Sequence, residues 1–223
     1  MASTNTQTLA DRCAQQIINL IRKGRYSTGE RLSEIRLSED LDLGRAPIRA
    51  ALDQLAQGGL VTRIPRAGTF VASISIENYR DLMEIREALE GMAARNAARR
   101  MGPPELSALE KMARNYDKEG DERKSTNNPS KLLELDQIFH HRLAEIGNQE
   151  VTKILKKNYI LERSFLNELS MGQPFWEEYP EDYPTHLDLV EVLGKRNPDE
   201  AEARVRLHIS MAKEAQVKAL FQL

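Results

Sequence analysis

Apolar residues return at helical spacing along most of the chain. Leu9, Cys13, Ile17, Leu20 and Ile21 form one stripe that Gly24 closes, and this pattern predicts an opening helix. A turn at Ser27-Thr28-Gly29 follows, after which Ser33 offers its hydroxyl as the N-cap of a short helix through Leu41. RAPIRAALDQLAQGGL then places Ile48, Ala51, Leu52 and Leu55 on one face. Pro47 falls in the first turn, where a missing N–H costs little, and Gly58-Gly59 end the helix. In LVTRIPRAGTFVA two short β-branched runs flank Pro65-Arg66-Ala67-Gly68, the pattern of a hairpin. The predicted order is three helices and a two-stranded wing.

Beyond Ser75 the period stays helical, with segments near 77–101, 104–121, 130–147, 149–170, 183–196 and 198–222. Gly102-Pro103-Pro104 separates the first two. DERKSTNNPS, Asp121 to Ser130, reads as a polar loop, and MGQPFWEEYPEDYP, Met171 to Pro184, as a loop bearing proline and aromatic residues. Asn197-Pro198 starts the last helix, with Asp199 and Glu200 in its first turn. The expectation is a mainly α chain: a winged helix-turn-helix over 1–75 and an all-α antiparallel bundle over 76–223, with the boundary between Ala72 and Asn78.

Composition narrows the class. A chain of 223 residues with 40% hydrophobic and 30% charged residues suits a soluble globular protein. No apolar run approaches the roughly 20 residues that span a bilayer, and the first residues lack the basic and apolar blocks of a secretory signal. One cysteine, Cys13, excludes an intrachain disulfide and fits a reducing cytoplasm; its place on the apolar stripe marks it as core. The net charge of −2 is uneven: basic residues exceed acidic ones by three over 1–75, and the rest of the chain is acidic. The first segment is therefore the candidate for nucleic-acid contact.

Within it, Arg45 and Arg49 stand four apart on the side of their helix away from the apolar stripe. A planar guanidinium matches a phosphate or the O6/N7 edge of guanine. Arg66, at the wing tip beside Gly68, is placed to reach a phosphate or a minor groove, and the glycine permits close backbone approach.

The second segment poses a different question. LDQIFHHRLAEIG has the period of a helix face, yet Asp136 and His140 occupy that face among Leu132, Leu133, Phe139 and Leu143. Burying an ionised group is costly unless something compensates it. His186 shares a face with Leu189, Val190 and Leu193, and His208 lies on the stripe of Ala201, Val205, Ala212, Ala215 and Ala219. His141 is rotated by about 100° from His140 and is left out. A single such histidine is most simply a hydrogen-bonded core residue. Three of them, with a carboxylate one turn from the first, point to a shared divalent cation. A set of three nitrogens and one oxygen favours zinc, with nickel or manganese left open.

These motifs carry a resemblance. KGRYSTGERLSE through LSEDLDLGRAPIRAALDQLAQGGLVTRIPRAGTFVA resembles the winged helix-turn-helix of the GntR family of bacterial transcription regulators, over roughly residues 8–73. Asp42-Leu43-Gly44 replaces the family's usual Gly-Val-Ser, and Ile35 stands where the family often has arginine, with Arg36 next. The resemblance adds Arg36 to the DNA-contacting candidates Arg45, Arg49, Arg66 and Gly68. DQIFHHRLAEIGN, HLDLVEVL and ARVRLHI resemble the FCD effector domain of FadR-type members, over about 78–220, in its metal-containing branch.

The resemblance implies a homodimer on a pseudo-palindromic double-stranded DNA operator, most simply a repressor, with a small carboxylate effector at or beside the metal. Arg86, on the inward side of its helix, is a candidate clamp for that carboxylate, and pairing with Glu90 four residues on is its alternative. Arg163 is a second candidate, and the loop with Trp176 and Tyr179 a candidate lid. Two other functions remain in view: a regulator with a purely structural metal, and a metal-dependent hydrolase or oxygenase. Against the enzyme, the chain has no HExxH, no nucleophile elbow and no evident general base beside the ligands.

Overall fold

Thr8 opens the first helix by a reciprocal cap. Its hydroxyl accepts from the Asp11 N–H at 3.1 Å, and the Asp11 carboxylate accepts from the Thr8 N–H at 2.9 Å. The computed structural model describes residues 8–73, 75–126, 129–169 and 179–221. The chain divides into two compact units, Met1–Ile74 with Ile160–Glu168 and Ser75–Tyr159 with Leu169–Leu223.

In the first unit α1 (Leu9–Arg22), α2 (Glu34–Leu41) and α3 (Arg45–Gln57) surround a core containing Cys13, Ile17, Tyr26, Leu37, Ile48 and Leu52. Leu9, at the start of the α1 stripe, is exposed instead. Ser33 caps α2 by accepting from the Arg36 N–H. The wing consists of β2 (Val61–Ile64) and β3 (Gly68–Val71) in antiparallel register, Val61 opposite Val71 and Ile64 opposite Gly68. A third strand, β1 (Arg31–Leu32), joins the far side of β3 to give the order β1-β3-β2. Two residues are too few to show a period, so the pattern predicts only the hairpin.

The second unit is helical: α4 (Ile76–Arg100), α5 (Pro103–Thr126), α6 (Pro129–Gly147), most of α7 (Gln149–Leu169), α8 (His186–Gly194) and α9 (Pro198–Phe221). Helix α5 continues to Thr126 and α6 begins at Pro129, so most of the loop expected over 121–130 is helix. Its Glu, Arg and Lys are good helix formers, and polarity alone does not break a helix. Helix α8 starts at His186, later than the period suggests, because Thr185 and Asp188 form a capping box just after Pro184. Trp176 lies outside the described residues.

Helix α4 lies against α9 and α6, α5 against α6 and α8, and α8 against α9. The α4 face is built from Ala93, Ala94, Ala97 and Ala98, all buried. Such small residues let α6 approach the backbone itself: a Cβ on Gly147 would stand 1.9 Å from the Ala93 carbonyl oxygen. This contact seats the end of α6 on α4, two turns beyond His140. Among the described residues no helix is long and apolar enough to cross a membrane.

Candidate functional site

Three helices of the second unit bring Asp136, His140, His186 and His208 together. Asp136 and His140 lie one turn apart on α6, His186 is the first residue of α8, and His208 lies midway along α9. One ligand atom from each falls within 4.8 Å of the others. His140 Nε2 is 3.1 Å from His208 Nε2 and 3.3 Å from His186 Nε2. Asp136 Oδ1 is 3.6 Å from His140 Nε2 and 3.3 Å from His186 Nε2. Four ligands about 2.0–2.1 Å from a tetrahedral zinc stand about 3.3–3.4 Å apart, close to these separations. The three imidazoles are buried, while the Asp136 side chain remains 22% exposed.

The far side of two rings decides what the near side offers. His208 Nδ1–H donates to the Pro184 carbonyl at 2.7 Å, and His140 Nδ1–H donates to Glu90 Oε2 at 2.7 Å. With the Nδ1–H of each ring committed there, the two Nε2 atoms face each other across 3.1 Å, where neutral rings would oppose lone pairs. A cation between them relieves the repulsion. A proton would satisfy one pair of atoms, whereas four ligand atoms converge, so the cluster can hold a metal ion. Burial, augmented by the neighbouring rings, holds His208 well below the usual imidazole range; burial also lowers His186, partly offset by Asp136. Both therefore keep the neutral form that ligation needs. Burial opposes ionisation of Asp136, but His140, His186 and Arg86 outweigh it and its pKa is lowered.

Glu90 is the principal site residue that the pattern did not assign to the cluster. It is fully buried on α4, where its carboxylate accepts from His140, from Arg86 Nε at 2.5 Å and from the Tyr159 hydroxyl at 3.0 Å. Burial resists its charge, yet Arg86 and His140 lower its pKa to about 2. An acidic residue on the alanine face of α4 was the available signal. Such a carboxylate orients a metal-ligating histidine and raises its basicity. Glu90→Gln is accordingly expected to weaken metal binding about 10–100-fold, measured by competition against a chromogenic chelator. Wild-type affinity in this variant would remove Glu90 from the site.

Arg86 is buried, paired with Glu90 and 3.6 Å from Asp136 Oδ2, with its guanidinium 5.3 Å from the Tyr159 ring centre. Arg163 lies within α7, and its side chain is outside the described residues. Tyr183, absent from the pattern-based set, places its hydroxyl 3.2 Å from His208 Nε2 and stacks on Tyr179. Burial raises its pKa well above the usual phenol value, which keeps it a neutral donor. A small cavity beside Asp136 is lined by Tyr116, Leu132, Leu133, Tyr179 and Gln216. His141 is exposed.

In the first unit, Ile48, Ala51, Leu52 and Leu55 bury one face of α3, leaving Arg45 and Arg49 exposed on another. Both guanidiniums meet Glu34 at the start of α2. Arg36 donates to Glu30 at 3.2 Å and lies over the Tyr26 ring. Arg66 is exposed in the β2–β3 turn with φ +64°. Gly68 has φ +123°, and a Cβ there would meet Arg31 Nε at 2.9 Å, so the glycine makes room for a side chain crossing the wing.

Comparison with known proteins agrees with this architecture. Residues 9–71 match the family described as bacterial regulatory proteins, gntR family, and residues 81–211 match the FCD domain. The chain is 30% identical over 186 residues to the Nta operon transcriptional regulator of Aminobacter aminovorans, covering 82% of this chain and 83% of that protein. It is 28% identical over 205 residues to the HTH-type transcriptional repressor RspR of Escherichia coli (strain K12), covering 90% and 87% respectively. Among solved structures, Escherichia coli McbR/YncC superposes with a TM-score of 0.77 at 16% identity over 97% of this chain and 99% of that one. A GntR regulator from Rhodococcus sp. RHA1 gives 0.70 at 19% identity, covering 95% and 97%.

Proposed function

The chain belongs to the gntR family of bacterial regulatory proteins and carries an FCD domain, and from that premise we propose that this DNA-binding transcription regulator is a repressor gated by a small organic acid at a metal site. Residues 1–75 form the DNA reader and 76–223 the sensor and dimerisation domain of a cytoplasmic homodimer. Arg45 and Arg49 read bases in the major groove of each half of a pseudo-palindromic operator, and Arg36, Arg66 and the backbone at Gly68 contact phosphate or the minor groove. RspR, similar over 90% of this chain, is named a repressor.

Asp136, His140, His186 and His208 hold the ion, with zinc favoured by the donor set and nickel or manganese as alternatives. When bound, the ion supplies positive charge and Lewis acidity toward an effector carboxylate. The protein's own groups do the rest. Glu90 and the Pro184 carbonyl fix two ring orientations. Arg86 and Arg163 are the proposed carboxylate contacts, and the Tyr183 hydroxyl is a donor at the rim of the cluster. An acid that binds the two arrangements of the helical domain unequally changes the spacing of the paired readers, with a coupling of about 1–3 kcal/mol.

The observation that carries this proposal is the convergence of four ligand atoms with two Nδ1 protons already committed elsewhere. The near-complete burial of the three imidazoles favours a second possibility, a structural ion without an effector. A mobility-shift titration separates them, using duplexes enriched by the protein from a random-sequence library and a panel of short hydroxy-, keto- and dicarboxylic acids. Gating predicts that at least one acid changes affinity about 5–150-fold, and that chelation removes the response. No response to any acid, with chelation lowering only the melting temperature, leaves the structural ion.

A further inference from the structure

Glu34 joins two elements of the DNA reader through one carboxylate. It sits at the first position of α2, where the helix dipole favours negative charge. Its Oε1 accepts from Arg49 Nε at 3.0 Å, and its Oε2 accepts from Arg49 Nη2 at 2.9 Å and Arg45 Nη2 at 3.4 Å. Both arginines are otherwise exposed, with about 60% of each side chain open. Two parallel charge-assisted hydrogen bonds from a partner 15 residues away fix the orientation of a side chain that solvent would otherwise leave free, even though an exposed pair adds little stability.

The choice of atoms matters. A guanidinium has five N–H donors and can present a two-pronged fork on more than one edge. Glu34 occupies the Nε/Nη2 edge of Arg49. The terminal Nη1/Nη2 edge keeps the other N–H pair, and that fork matches the O6 and N7 acceptors of guanine. The same carboxylate cancels one of the two positive charges on this face, which weakens attraction to any phosphate regardless of sequence.

We propose that Glu34 is a specificity-determining residue that holds Arg49 edge-on for guanine and suppresses sequence-independent binding by the Arg45/Arg49 pair. It acts as a positioning residue through the arginines. The proposal rests on α3 being the base-reading helix, so the test carries an arm for that premise.

Full-length wild type, Glu34→Gln, Glu34→Ala and Arg49→Ala are compared on duplexes enriched by wild type from a random library and on the unselected random duplex. For the Glu34 variants, affinity for the random duplex should rise, and the slope of log affinity against log salt should steepen by about 0.9 per chain, the mark of one further phosphate contact. Affinity for the enriched duplex should fall, so that the preference ratio drops about tenfold or more. A Glu34 that merely supports the fold would lower both affinities together and leave the ratio unchanged. That result, with Arg49→Ala abolishing preference, overturns the role of Glu34 and keeps α3 as the reader. If Arg49→Ala retains wild-type preference, the premise fails and the proposal with it.

Discussion

Arg49→Ala is expected to abolish operator selection while leaving the protein folded. Each bidentate arginine–guanine pair is worth about 1–3 kcal/mol of discrimination. In a symmetric dimer the loss occurs at both half-sites, which predicts a drop in operator affinity of roughly 30-fold to 10⁴-fold. Stability should barely change. The Arg49 side chain is 59% exposed, its ion pair with Glu34 is at the surface, and the buried stripe of Ile48, Ala51, Leu52 and Leu55 is untouched. Exposed pairs of this kind contribute about 0–1 kcal/mol. Fluorescence anisotropy on the enriched duplex at physiological salt, beside a thermal melt, reads both quantities. Wild-type affinity in the variant would place base reading elsewhere than α3.

The arginine face was legible because periodicity separates it from the apolar stripe of the same helix. Its partner was not. Glu34 and Arg49 are 15 residues apart on different helices, and only the crossing of α2 and α3 brings them together. The same division holds in the helical unit. Asp136, His140, His186 and His208 stood out because each puts a costly polar group on an apolar face, and the structure gathers those four groups at one point.

In the sequence Glu90 enters only as the i+4 partner of Arg86, although its place on the alanine face of α4 is a further signal. That ion pair is present, but the bond to His140 depends on the approach of α6 to α4, which no local spacing encodes. Tyr183 stands at the start of the segment expected over 183–196, but the capping box begins α8 three residues later, so the helical period gives no guide to its approach to His208. Among secondary elements, β1 is too short to register as a pattern, and the polar end of α5 resembles a loop by composition while favouring helix by propensity. Local physics thus identifies which side chains need partners, and tertiary packing selects the partners.

His208→Ala is expected to empty the metal site and destabilise the helical body together. Wild-type protein, purified without a metal-affinity column, should carry about one divalent ion per chain, and the variant far less. Loss of one imidazole removes a quarter of the donor set. Loss of the ion leaves the partly exposed Asp136 carboxylate balanced only by Arg86 and the two remaining rings, so the penalty lies at or below that of a fully buried charge. A fully buried charge stripped of its partner costs about 3–5 kcal/mol, which is the upper bound here. The ion's contribution has similar size, since a ligand at a thousandfold excess over its Kd stabilises by about 4 kcal/mol. Chelation should therefore lower the wild-type melting temperature and leave that of the variant almost unchanged, because the two perturbations remove one and the same interaction. His141→Ala provides the control: its ring is exposed on the same helix as His140, so both metal content and chelator response should match wild type. Full metal occupancy in His208→Ala, or a wild-type melt indifferent to chelation, would show that these four side chains meet without sharing an ion.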